Sequence, residues 1–177
     1  LKGFNLLTNK PVLFAINVDE NQISHNNSDL YKNLNIFLNN RADHHIKVCS
    51  TIEQEISMLD KKEQLEFLKE FNLKEPALNT LIKDSYRKLS LHTFFTAGPE
   101  EIRAWAIKLK DTAYDAAGKI HTDFQRGFIK AEVFHLNDLI KFKSEISVKE
   151  AGLIRQEGKD YIMKDGDIVF FKFNVTN

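Results

Sequence analysis

The sequence predicts an α/β layer in its first half and a small α+β domain of β-grasp, ubiquitin-like outline in its second. Three observations carry this reading. Pro11–Asn17 is a short, almost unbroken apolar run, the pattern of a strand buried on both faces of a parallel sheet. A stretch of helical period and a second short run, His45–Cys49, follow it, so strand, helix and strand arrive in the order of a βα unit. After Leu89 the texture changes to short strands around one helix, in the order ββαβ with late strands, which places a domain boundary near Lys88–Leu91.

Taken in order, the polar stretch Asp19–Ser28 reads as a turn. Leu30, Leu34, Ile36, Phe37 and Leu38 then recur at roughly helical spacing, with Ser28 or Asp29 as the cap and Asn39-Asn40 at the end. Glu53–Leu59 and Lys62–Phe71 are charged, amphipathic and free of Gly and Pro, so both are predicted helices with solvated charged faces. Pro76 restarts the pattern, and Leu78, Leu81, Ile82 and Tyr86 share one face of a third helix. Beyond the boundary, His92–Thr96 and Ile102–Lys108 are β-rich runs joined by the turn signature Ala97-Gly98-Pro99-Glu100, hence a hairpin. Thr112–Ile120 reads as the helix and Ile129–Phe134 as a third strand. Asn137–Phe142 and Ser147–Gln156 read as short helices, and Tyr161–Met163 and Asp167–Asn174 as closing strands about the turn Lys164-Asp165-Gly166. Phe94, Phe95 and Trp105 are assigned to the core of this domain.

With 177 residues, 42% of them hydrophobic and 28% charged, the chain can build one large domain or two small ones. Its 25 basic residues balance 25 acidic ones. Each side of Leu91 is neutral by itself, so net charge signals no nucleic-acid arm. The single cysteine, Cys49, excludes an internal disulfide and fits a reducing, cytoplasmic setting. No run of about eighteen apolar residues and no signal-like start are present, so neither membrane insertion nor secretion is expected. The chain opens on Leu1 and reads as a fragment or a processed product.

Chemistry concentrates at two strand ends. Asn17-Val18-Asp19-Glu20 lies just past the carboxyl end of the first strand, where open α/β sheets place their ligand crevices. An Asn amide both donates and accepts, so it can grip a purine edge, and a carboxylate three residues on can face the base. The same tetrapeptide is also ordinary turn chemistry. The second strand ends in Cys49-Ser50-Thr51, small residues whose backbone N–H groups can reach the same crevice. Ser50 with Glu53 equally spells a capping box for the following helix, and both readings can hold together. None of the seven glycines stands in G-x-x-x-x-G-K-[ST] or G-x-G-x-x-G, so no phosphate cradle and no catalytic residue is assigned. His121-Thr122-Asp123 lacks partners at ligand spacing and His44-His45 are adjacent, so no metal site is predicted. No nucleophilic triad can be argued around Cys49.

Four stretches go further: Phe95–Trp105 (FTAGPEEIRAW), Ala116–Phe124 (AAGKIHTDF), Arg126–Val133 (RGFIKAEV), and Glu157–Tyr161 leading to Asp165–Ile168. With them the chain resembles the YchF, or Obg-like ATPase, family from Pro11 to about Val175. The resemblance implies that residues 1–90 are the C-terminal part of a P-loop NTPase (G-type) nucleotide-binding domain, and that residues 91–177 are a TGS domain of β-grasp fold. It implies a base pocket formed by Asn17, Val18 and Glu20, with Glu where ordinary GTPases carry Asp, and by Cys49, Ser50 and Thr51. The longer Glu cannot take the bidentate position of Asp on guanine, which favours ATP over strict GTP recognition. The resemblance further implies a cytoplasmic parent protein that binds and hydrolyses ATP or GTP with Mg. That parent would act with the large ribosomal subunit or RNA in translation or stress regulation. The fragment alone is expected to be inactive. The alternative is a TGS-containing RNA- or ribosome-binding regulatory module without hydrolase activity. Family members usually carry a Gly near Lys110, a Pro near Tyr114 and a Gly pair near Lys143-Ser144, so those turns are expected to differ in shape.

Overall fold

The computed structural model describes residues 2–4, 6–24, 33–34, 36–37, 45–98 and 101–174. The chain divides into two compact units, Leu1–Leu89 and Ser90–Asn177.

In the first unit, β1 (Phe14–Asn17) and β2 (His45–Val48) pair in parallel, with Phe14 beside His45 and Asn17 beside Val48. Burial of β1 on both faces is not realised. Phe14 and Ile16 are half-buried while Ala15 and Asn17 are exposed, because among the described residues this sheet holds only the two strands. The predicted turn after Asp19 is instead the short helix α1 (Glu20–Ser24). The Asp19 carboxylate accepts from the Gln22 N–H at 2.9 Å, and the Gln22 side chain accepts from the Asp19 N–H at 3.1 Å. That reciprocal cap is announced by the D-x-x-Q spacing. The helix predicted around Leu30–Leu38 falls largely outside the described residues, although 33–34 and 36–37 are helical. Three further helices follow: α2 (Ser50–Met58), α3 (Lys61–Glu70) and α4 (Ala77–Lys88). α3 opens with a capping box between Asp60 and Glu63. The unit's core gathers Val18, Cys49, Ile52, Ile56 and Leu68. α2 presents Ile52 and Ile56 to it from one face, four residues apart. α4 buries no residue fully, and its Leu78 and Ile82 are exposed.

The second unit is a five-stranded mixed sheet of order β4-β3-β7-β5-β6. Its strands are β3 (Leu91–Ala97), β4 (Ile102–Lys108), β5 (Phe128–His135), β6 (Arg155–Glu157) and β7 (Asp167–Phe173). β3 and β7 are parallel; every other neighbouring pair is antiparallel. The period of two sends Phe94, Ala131, Val133 and Val169 to one face, against Ala113, Ala116 and Ala117 of α5 (Ala113–Ile120). Alanines let this helix lie close to the sheet. α5 begins at a capping box of Thr112 with Asp115, and α6 (Thr122–Arg126) at His121. Phe95, Phe134 and Ile168 face the other way and meet α7 (Leu136–Phe142) and α8 (Glu145–Glu150) around Val148. Phe94 and Phe95 thus serve opposite faces, with Phe95 and Trp105 only half-buried.

Two expectations fail here. The helix predicted over Ser147–Gln156 stops at Glu150, and Arg155–Glu157 instead pairs antiparallel with Ala131–Val133. Gly152, at φ 71°, takes the left-handed turn that separates the two. Tyr161–Met163 is no strand: only Ile162 makes an isolated bridge, to Thr112. Among the described residues no helix is long and apolar enough to cross a membrane.

Candidate functional site

Because β1 and β2 are parallel and in register, their carboxyl ends finish side by side. The Val18 N–H donates to the Val48 carbonyl at 2.9 Å, extending the pairing past the strand end. The Ser50 hydroxyl then donates to Asn17 Oδ1 at 3.1 Å, joining two residues 33 positions apart. With its oxygen taken, the Asn17 amide keeps its NH2 group to donate outward.

The other sequence-chosen residues divide by burial. Val18 and Cys49 turn their side chains into the core, at 7% and 1% exposure. Each therefore offers backbone alone, and the Val18 N–H is already committed to Val48. Thr51 is exposed one residue into α2, and Glu20 is exposed as the first residue of α1. No hydrogen bond joins either of them to Asn17 or Ser50 among the described residues. Cys49 occupies the N-cap position of α2 with extended backbone and no side-chain cap, so first-turn N–H groups stay uncapped beside Asn17.

The capping box expected between Ser50 and Glu53 does not form. The Glu53 carboxylate instead accepts from the Ala77 N–H at 2.7 Å and the Leu78 N–H at 3.2 Å. Pro76, at the N-cap of α4, has no side-chain acceptor to offer, and a carboxylate from α2 supplies it at the positive end of the helix dipole. The first turn of α2 therefore holds the end of β1 through Ser50 and the start of α4 through Glu53. Nearby, the Lys83 ammonium lies 2.5 Å from Glu75, and this hydrogen bond holds the Glu75 carboxyl below its ordinary range. A cavity of about 230 Å³ opens among Ile23, Ile46, Leu73, Ala77 and the two glutamates. None of the sequence-chosen residues lines it, and both its carboxylates are already engaged.

A polar network in the second unit escaped the sequence reading. Asp167 is wholly buried, and its Oδ2 accepts from the Tyr161 hydroxyl at 3.0 Å and the Lys164 N–H at 2.9 Å. Arg155 stands 3.9 Å from Oδ1, donates to the Tyr161 oxygen at 3.2 Å, and donates to Glu157 at 3.1 Å. Burial pushes the Tyr161 phenol up, and the bond to Asp167 adds to the shift. The available signal was a carboxylate opening the apolar run Ile168–Phe171. Among the described residues no group of three His, Cys, Asp or Glu side chains is placed to hold a metal ion.

The class of protein follows from residues 91–174, which match the family model YchF-GTPase_C, described as "Protein of unknown function (DUF933)". The "Ribosome-binding ATPase YchF" of Haemophilus ducreyi is 45% identical over 175 residues, covering 99% of this chain and 48% of that protein. The protein of the same name from Bacillus subtilis is 42% identical over 177 residues, with the same two coverages. Over the span it covers, the chain belongs to the YchF family. It spans about half the length of the curated relatives it matches. The solved Schizosaccharomyces pombe YchF GTPase superposes with a TM-score of 0.81 at 31% identity, over 94% of this chain and 44% of that one. A GTP binding protein from Pyrococcus horikoshii shares the fold at TM-score 0.62 and 19% identity, over 94% of this chain and 46% of its own.

Proposed function

We propose that this chain is the C-terminal part of a cytoplasmic, YchF-type protein that binds and hydrolyses ATP or GTP in association with the ribosome. In this reading residues 1–90 close a P-loop nucleotide domain, and residues 91–177 are a TGS domain of β-grasp type. The observation that carries it is the 3.1 Å bond from Ser50 to Asn17, which ties the two strand-end loops together. The Asn17 NH2 meets an acceptor on the base, the first-turn N–H groups at Ser50 and Thr51 meet a second acceptor, and Glu20 faces the base's donor edge. Val18 and Cys49 form the buried floor. The sheet order β4-β3-β7-β5-β6, with one helix across it, supports the β-grasp assignment. The relatives' names support ATP and the ribosome as partners.

Magnesium neutralises phosphate charge when nucleotide is bound, and its ligands in this reading belong to the whole protein, since the described residues gather no metal-binding group. In the alternative, a regulatory module without hydrolase activity, the Asn17–Ser50 bond only holds the two loops together. Turnover of ATP and GTP by this chain and by the full-length protein tests the proposal. The chain alone should be inactive, and Asn17→Ala in the full-length protein should weaken nucleotide binding about tenfold or more, the loss of one good hydrogen bond to a base. Robust turnover by the 177-residue chain, or unchanged affinity in Asn17→Ala, overturns it.

A further inference from the structure

His135 stands where β5 gives way to α7, and both of its ring nitrogens are in use. Nδ1 accepts from the Asn137 N–H at 3.0 Å, which makes the ring the N-cap of α7. Nε2 lies 3.0 Å from the Asp165 carbonyl, in the turn before β7. A carbonyl oxygen only accepts, so Nε2 carries the proton and Nδ1 keeps its lone pair. Only the neutral ring, in that one tautomer, makes both bonds. The ring is also closely seated: a Cβ on Gly166, at φ 83°, would lie 3.0 Å from Nε2 and 3.2 Å from Cε1. Backbone bonds close the same junction, with the Leu136 N–H on the Gly166 carbonyl and the Gly166 N–H on the Thr93 carbonyl, each at 2.8 Å. The helix held in this way covers one face of the sheet, where Leu136, Leu139 and Phe142 pack around Phe134 and Ile168.

We infer that His135 is an acid-released catch on α7. Protonation converts Nδ1 from acceptor to donor, so it meets the Asn137 N–H as a second donor and the first turn of α7 loses its cap. It also sets a positive charge at the positive end of the helix dipole. Nε2 remains a donor, so the ring stays on the Asp165 carbonyl while α7 is let go. Each carboxylate on the elements around the ring is already engaged. On α7, Asp138 accepts from the His135 N–H at 3.3 Å, and in the turn Asp165 accepts from the Thr93 N–H at 2.9 Å. On β7, Asp167 is buried, holds the Tyr161 hydroxyl and the Lys164 N–H, and stands 3.9 Å from Arg155 of β6. The other charged residue of the turn, Lys164, is a cation and offers the protonated ring nothing. His121 shows the contrast. Its Nδ1 caps α6 from 3.2 Å, on the Asp123 N–H, but there the Asp123 carboxylate lies 3.4 Å away and can receive a bond from the added proton.

The inference lies within the second unit and is independent of the nucleotide reading. Imidazole changes charge between about pH 8 and about pH 5, so both states are reached inside that range. Nitrogen NMR of the whole chain at about pH 8 should show the His135 ring neutral and protonated on Nε2. At about pH 5 the ring should be charged, and the protection of the Asn137 amide against hydrogen exchange, corrected for its intrinsic rate, should fall about fivefold or more, the loss of one cap. His135→Ser, whose hydroxyl accepts at either pH, should hold that protection constant. Three results overturn the inference: a ring charged or protonated on Nδ1 at the higher pH, a ring still neutral or an Asn137 amide equally protected at the lower one, and a serine variant that loses as much protection as the unaltered chain.

Discussion

Lys110 and Lys143 hold φ angles of 79° and 63°, in the left-handed region where a Cβ costs on the order of 1 kcal/mol. These are positions at which the family resemblance places glycine nearby. Lys143 ends α7 with its N–H on the Leu139 carbonyl at 2.7 Å, a geometry that glycine supplies without strain. Lys143→Gly should therefore stabilise the chain by about 0.5–1 kcal/mol, and an unchanged or lowered Tm would show that the side chain is not strained. Asp167 is the opposite case: truncating this buried residue leaves the Tyr161 hydroxyl and the Lys164 N–H without their shared acceptor. Asp167→Ala should cost about 3 kcal/mol in chemical denaturation. The same network sets a pH dependence. Burial, and then the bond to Asp167, keep the Tyr161 phenol protonated above its ordinary value of 10.0. Its contribution is complete below pH 10 and is lost as pH rises through the raised value, because the unfolded chain releases that proton first. A stability titration should fall above pH 10, and Tyr161→Phe should fall less steeply; identical slopes would remove Tyr161 as the cause.

Among the elements, α4 depends on a cap that it does not carry itself. Glu53→Ala should expose the Ala77 and Leu78 amides to faster hydrogen exchange and destabilise the first unit by about 2 kcal/mol, with Glu53→Gln recovering part of the loss. Unaltered exchange at those two amides would sink the idea. This cap also marks where local pattern ceased to be informative. Helices and strands whose partners lie close in sequence were legible: the α3 stretch Lys62–Phe71, the β3–β4 hairpin with its Gly98 turn, and α5 between Thr112 and Ile120. So were the two strand ends at Asn17 and Cys49, which the parallel register of β1 and β2 brings together. What Ser50 and Glu53 do was not, because both spell a local capping box while their partners, Asn17 and Ala77, come from 33 and 24 residues away. The predicted helix Ser147–Gln156 takes in Arg155 and Gln156 for the same reason: their strand state comes from Val133 and Glu132, which no short window contains. Ala15 failed by context, since an apolar run says nothing of how many neighbours its sheet will have.

For the whole molecule, the division at Leu89 separates two units of unequal resources. Among the described residues the first rests on a two-stranded parallel sheet, an arrangement marginal by itself, and on α2 and α3 gathered about Ile52, Ile56 and Leu68, with α4 burying no residue fully. The second packs both faces of a five-stranded sheet, with Phe94, Val133 and Val169 on one side and Phe134, Val148 and Ile168 on the other. Unfolding should therefore proceed in two steps, the first unit at lower denaturant. The sequence provides a probe for each, because the longest helices lie in the first unit and the single tryptophan, Trp105, lies in the second. Far-UV circular dichroism should lose helical signal before Trp105 fluorescence changes. Ile52→Ala, which empties part of the first core, should shift only the earlier step, by about 3 kcal/mol; Val169→Ala should shift only the later one, by about 2 kcal/mol. Superimposable curves from the two probes, moved together by either substitution, would mean that the units unfold as one cooperative body.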